Sequence, residues 1–169
     1  MTGELSAKDR GTLELGGLVI RSETEGQRGR ATALGVVQAP VEAVWDAVTD
    51  YDGYVEFMPH VVESRVDRVE DGAVTVTNVL KILVKRIRYT IRLELDRARH
   101  RVEWRQLEGD LKANEGSWAL EPFGDGRTLA TYSVRIEVGF LVPQGVVDRL
   151  TRGSFGQLFQ AIRDRATAS

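Results

Sequence analysis

Cysteine is absent from these 169 residues. Disulfides, thiolate zinc sites, iron–sulfur clusters and cysteine nucleophiles are therefore excluded together. Histidine is nearly as scarce. His60 and His100 are the only 2, too few for a histidine-rich metal site. No apolar run approaches the ~20 residues that a helix needs to cross a bilayer, so no stable membrane insertion is expected. Met1 to Arg10 carries Glu4, Lys8 and Asp9 and no apolar stretch, unlike a secretory leader. A cytoplasmic location is the expectation. No Ser–His–Asp order, no Gly-rich phosphate loop and no metal-ligand spacing occurs. The residues imply no cofactor, no metal and no catalytic set.

What is present suits one globular domain. The hydrophobic share of 42% and charged share of 28% are ordinary, and the length is enough to bury a core without staples. The formal charge is −2 but uneven. Residues 1–80 hold 7 Lys/Arg against 14 Asp/Glu, whereas residues 81–105 hold 9 against 3. The basic segment alternates with apolar residues. It reads either as a solvated sheet face or as an anion-binding strip made of Arg86, Arg88 and Arg92 with Lys85 and Arg105. The second reading would make a ribosome or RNA contact. Glu94, Glu103 and Glu137, expected across the strands, would neutralise much of the strip.

Hydrophobic periodicity gives the element order. Residues 1–29 form an extension, partly flexible, with a possible strand or hairpin about Gly16–Gly17. The domain proper is expected over 30–169. Arg30–Gln38 reads as a strand, with Ala31, Ala33, Gly35 and Val37 on one face and Thr32, Leu34 and Val36 on the other. Pro40 then opens a helix whose Val41, Val44, Trp45 and Val48 share a face. Tyr54–Met58 is a second helical piece. From His60 to Gly139 the period is two. Asp71-Gly72 and Gly124-Asp125-Gly126 mark hairpins. After Pro143 the period is helical, and a stripe through Val147, Leu150, Phe155, Leu158 and Ile162, bordered by Phe159, predicts a helix of about twenty residues. The class is α+β: a curved antiparallel sheet of about six or seven strands around a long C-terminal helix. Two short helices follow the first strand. A sheet wrapped round a single helix leaves space between them.

The inward positions are mostly apolar. Asn78 falls in line with Val76 and Leu80, Gln106 with Val102 and Trp104, and Asn114 with Trp118. Buried amides need partners. Each therefore bonds a polar neighbour, water or ligand, or lies wet at the sheet rim. Tyr89, mid-strand and inward, is the best candidate for a pocket hydroxyl. Tyr51, Tyr54, Phe57, Met58, Trp104, Trp118, Tyr132, Phe140, Phe155 and Phe159 are core fillers or cavity wall. The sites predicted to touch a ligand are Phe57, Met58, Asn78, Tyr89, Trp104, Gln106, Asn114, Trp118, Tyr132, Phe155 and Phe159. Glu94, Glu103, Glu115 and Glu137 fall on outward positions, and His60 and His100 are expected in solvent. That leaves no shielded acid or base and argues for binding over catalysis. Gly153-Ser-Phe-Gly156 either softens the last helix as a gate or lets it pack closely on the sheet.

Three segments carry a resemblance. One is Ala39-Pro-Val-Glu-Ala-Val-Trp-Asp-Ala-Val-Thr-Asp-Tyr-Asp with Tyr54-Val-Glu-Phe-Met-Pro-His-Val. Another is Glu108-Gly-Asp-Leu-Lys-Ala-Asn-Glu-Gly-Ser-Trp-Ala-Leu-Glu-Pro, and the third is the last helix after Val142-Pro143. Over about residues 30–165 the chain resembles the START/Bet v 1-like (SRPBCC) superfamily, in its polyketide cyclase/dehydrase and coenzyme Q-binding subgroup. The resemblance implies the helix-grip fold. Quinone-binding lipid chaperones, polyketide aromatase/cyclases and a ribosome-associating toxin all occur in that subgroup, so fold alone does not choose. The expectation is a carrier or chaperone for a small hydrophobic molecule. A cyclase-type enzyme is the first alternative and a macromolecule-binding role the second.

Overall fold

The computed structural model describes residues 5–139 and 154–168. Eight strands form a single antiparallel sheet: β1 Val19–Glu25, β2 Arg28–Val37, β3 Val61–Glu70, β4 Ala73–Ile82, β5 Lys85–Asp96, β6 Arg101–Gly109, β7 Ala113–Pro122 and β8 Thr128–Glu137. Their spatial order is β1-β2-β8-β7-β6-β5-β4-β3. The chain leaves β2, crosses on α2 (Val41–Val48), a 3-10 turn (Tyr51–Gly53) and α3 (Tyr54–Phe57), and then meanders back from the far edge. The last described helix, α4, spans Phe155–Thr167 and packs on α2 and β2. The expected helical stripe at Val147 and Leu150, together with Phe140 and Gly153, lies outside the described residues.

The strand count exceeds the expected six or seven because the extension supplies β1. Val19 to Glu25 pairs with β2 from Leu34 to Arg28. Ahead of it stands α1, Ala7–Glu14, where a hairpin or disorder was expected. Ser6 caps it, its hydroxyl accepting from the Asp9 amide at 3.0 Å. Helix α1 covers the outer face of the sheet, so Leu34 and Val36, on the face opposite the main core, are buried with Leu13, Val19, Phe123 and Leu129. Arg10 and Arg127 lie over the Phe123 ring at 5.2 and 5.1 Å.

The main core lies on the concave face. Small residues on the inner face of β2 let α4 approach, Ala31 and Ala33 being buried beneath it. A Cβ at Gly35 would stand 2.6 Å from Phe159 Cδ1 and 2.7 Å from Leu18 Cδ2. Overpacking of that kind costs about 1–3 kcal/mol. Gly35→Ala is expected to lower stability by that amount in a denaturant titration; an unchanged midpoint would show that α4 is not seated there. At Gly156 a Cβ would meet open space, so close packing does not require that glycine. Arg163 fastens the helix further along, its Nε donating to the Val36 carbonyl at 3.0 Å.

Candidate functional site: an apolar cavity with a tyrosine–amide cluster

Between the concave sheet and α4 lies a cavity of about 150 Å³. Strand alternation builds most of its wall. Leu80 and Ile82 come from β4, Ile91 and Leu93 from β5, Val134 and Ile136 from β8. Aromatic rings form a continuous surface across it. Tyr132 packs against Trp118 at 4.7 Å, Trp104 at 5.7 Å and Phe155 at 5.8 Å. Gly116 sits opposite Trp104 on the next strand. A Cβ there would lie 2.4 Å from the indole, so the glycine makes room for the ring.

A tyrosine–amide cluster interrupts the apolar wall. Asn78 on β4 and Tyr89 on β5 are directly opposite each other, and the Tyr89 hydroxyl is hydrogen-bonded to Asn78 and Asn114. Asn114 Oδ1 accepts from Trp104 Nε1 at 3.3 Å. Asn78 Oδ1 is buried and has no partner among the described residues. A buried unpaired carbonyl oxygen is costly, and this one lies on a cavity wall. Tyr51 is a second such case, its hydroxyl buried without a partner, whereas Tyr54 donates to the Val48 carbonyl.

The remaining expected contacts fall into two groups. Met58, Asn78, Tyr89, Trp104, Asn114, Trp118, Tyr132 and Phe155 line the cavity. Phe57, Gln106 and Phe159 stand off the cavity wall, each for a visible reason. The Phe57 ring lies between Tyr54 and the Arg165 guanidinium, 4.8 Å from the latter. Gln106 turns its amide to the Leu111 carbonyl at 2.6 Å, next to a register shift between β5 and β6. Phe159 is fully buried over Gly35 and meets Trp118 edge-on at 5.8 Å.

His60 was expected in solvent but stands on the cavity wall. Its φ of 68° turns the ring away from the strand direction, and Nε2 meets Ser154 Oγ at 3.0 Å, joining the start of β3 to the start of α4. His100 is also half-buried rather than free, edge-on to Trp45 and 2.6 Å from Glu42. Arg97 and then His100 hold the Glu42 carboxyl below its ordinary range. The basic strip is only partly neutralised: Arg92 pairs with Glu70 at 3.2 Å. Of the expected neutralisers, Glu103 pairs with Arg101 and Glu137 with Arg28 and Lys112, while Glu94 makes no ion pair among the described residues.

Among the described residues, no cluster of His, Asp and Glu could hold a metal, and no carboxylate lines the cavity. Burial pushes the Tyr51, Tyr54, Tyr89 and Tyr132 hydroxyls above their ordinary range. For Tyr89, the bonds from Asn78 and Asn114 oppose the rise. All four phenols are thus neutral hydrogen-bonding groups near pH 7. The cavity can hold an apolar body and fix one polar group on it.

A fold and cavity of this kind define a helix-grip protein with a largely apolar site between sheet and helix. The profile of the polyketide cyclase/dehydrase and lipid transport family matches residues 37–163, and the chain belongs to that family. Among solved structures it is similar to a protein of Thermus thermophilus, with 22% identity, TM-score 0.73, and 80% of this chain and 94% of that chain covered. It is also similar to the ZhuI aromatase/cyclase of Streptomyces sp. R1128, with 21% identity, TM-score 0.62, and coverage of 88% and 87%. A STAR-related lipid transfer protein of Xanthomonas axonopodis gives 15% identity, TM-score 0.71, and coverage of 89% and 93%. No curated protein sequence matches. No described helix is long and apolar enough to cross a membrane.

Proposed function

We propose that this protein carries a small hydrophobic molecule, of the lipid, quinone or aromatic polyketide class, between the sheet and α4. One observation carries the reading: a largely apolar wall holding a tyrosine–amide cluster in which Asn78 Oδ1 is buried and unpaired among the described residues. An acceptor with no donor calls for a ligand hydroxyl. The volume of about 150 Å³ suits a compact ring system, since an apolar cavity of ~150 Å³ holds benzene. Longer ligands require Phe155 and Leu158, on the first turn of α4, to give way.

The test is 2-naphthol against naphthalene, followed by quenching of Trp104 and Trp118 fluorescence. Saturable one-to-one binding of 2-naphthol is expected, about tenfold tighter than naphthalene, because one buried hydrogen bond contributes about 1 kcal/mol and an unmet acceptor costs more. Asn78→Leu is expected to abolish that preference with little change in melting temperature, since removal of the orphan oxygen offsets the lost bond to Tyr89. Equal affinity for both probes, or a preference that survives Asn78→Leu, would contradict the assigned role of Asn78.

A second reading, cyclisation of a poly-β-keto chain, has one observation in its favour. His60 is the only described imidazole on the cavity wall, and imidazole changes protonation near neutral pH. On that reading, His60→Gln removes turnover but leaves 2-naphthol affinity within about twofold, since an exchange of one polar wall group for another keeps the apolar contacts.

A further inference from the structure

The turn between β4 and β5 lacks the glycine of the other two-residue hairpin loops, Gly26-Gln27 and Asp71-Gly72. Ile82 pairs with Lys85, which leaves Leu83 and Val84 as a two-residue loop. Two-residue loops with a left-handed first position take glycine there, yet Leu83 has φ 58°. Both side chains point into solvent: Leu83 is 59% exposed and Val84 97%. Large aliphatic residues at a strained, exposed tip serve neither the core nor the turn.

The charges around the tip are of one sign. Lys81 and Arg86 are directly opposite on adjacent strands, and like charges so placed repel. Lys81, Lys85 and Arg86 are exposed, and none has a carboxylate within salt-bridge distance among the described residues. The same hairpin reaches the ligand site, because Leu80 and Ile82 line the cavity. The Lys81 amide also donates to the His60 carbonyl at 2.8 Å. Two bare aliphatic side chains ringed by three unpaired cations match the layered chemistry of an anionic bilayer surface, with apolar acyl chains beneath negative headgroups. RNA would use the cations but would leave Leu83 and Val84 without a partner.

We infer that the β4–β5 hairpin tip docks this protein reversibly on anionic lipid bilayers, Leu83 and Val84 entering the interface while Lys81, Lys85 and Arg86 meet the headgroups. This inference does not rest on the ligand reading, and its test reads vesicle binding with no ligand present. Because the chain has no cysteine, Val84→Cys gives a single site for an environment-sensitive fluorophore. Labelled full-length protein is mixed with phosphatidylcholine vesicles, with or without about 30% phosphatidylglycerol to supply the negative surface. The expected result is a blue shift and binding with phosphatidylglycerol only, weakening as salt is raised.

Two unlabelled variants then separate the contributions in vesicle sedimentation. Leu83→Gly with Val84→Asn installs a favoured turn pair. It is expected to melt at or above the parent temperature and to bind vesicles at least about tenfold more weakly, through loss of the apolar contact. Changing Lys81, Lys85 and Arg86 to Gln is expected to cost about fivefold per charge. The inference is overturned by no binding to phosphatidylglycerol vesicles at low salt, or by binding without a blue shift at the tip. It is equally overturned if the Gly-Asn variant binds as the parent does, or if a short RNA binds where vesicles do not.

Discussion

Phe159→Ala is expected to lower stability by about 3–5 kcal/mol, the cost of removing a fully buried aromatic ring from a packed core. In a chain of this length that corresponds to a fall in melting temperature of roughly 6–20 °C. The ring fills the space above Gly35, where a Cβ would come within 2.6 Å, and it braces Trp118 edge-on at 5.8 Å. Its loss opens a void between α2, α4 and the sheet that flanking side chains only partly refill. Phe57→Ala is the control. That ring is half-exposed beneath Arg165, and its removal is expected to cost a fraction as much. Equal costs for the two variants in denaturant unfolding would mean that α4 is not seated on β2 as described.

The second large effect is alkaline unfolding. All 4 tyrosines of the chain have their hydroxyl ionisation pushed up by burial. Tyr89 and Tyr132 keep some surface, but both line the cavity. Unfolded tyrosines ionise near pH ~10. The stabilisation from keeping each one neutral in the fold is fully present below about pH 10. It is lost as pH rises, because the unfolded chain releases protons first. By about pH 11 Tyr51 and Tyr132, both shifted far upward, each contribute a loss of about 1 kcal/mol; Tyr54 and Tyr89 act in the same direction, so the loss is a sizeable part of the stability of a marginal domain. Absorbance at the tyrosinate band should therefore stay flat until the protein unfolds, and then rise in one step with the loss of near-ultraviolet circular dichroism. A gradual native-state titration near pH ~10 would show that the tyrosines are in contact with bulk water.

Period-two alternation made β3 to β8 legible, and the apolar face of Val44, Trp45 and Val48 did the same for α2. Asp71-Gly72 announced its hairpin, with Gly72 at φ 75°. Two features escaped for separate physical reasons. Helix α1 buries only Leu13, so it has no periodic stripe; Ser6 and Asp9, in the spacing of a capping box, were its one usable signal. The β4–β5 turn has no glycine, proline or asparagine, so nothing in the sequence marks the end of the ladder at Ile82.

At the candidate site, alternation fixed which face Asn78, Tyr89 and Asn114 occupy. How far each side chain reaches was not legible. Phe155 and Phe159, one helical turn apart, divide between cavity wall and core according to where Gly35 lies. His60 was lost to reasoning by sequence because a left-handed backbone, rare outside glycine, decides its direction.

The most direct test of the central claim is native mass spectrometry of protein purified from its own source, followed by organic extraction. The account predicts a co-purifying apolar compound at up to one per chain, carrying a ring system and at least one hydroxyl, and lost or reduced in Asn78→Leu. A clean ligand-free mass, together with no saturable binding of any ring-bearing probe, would contradict it.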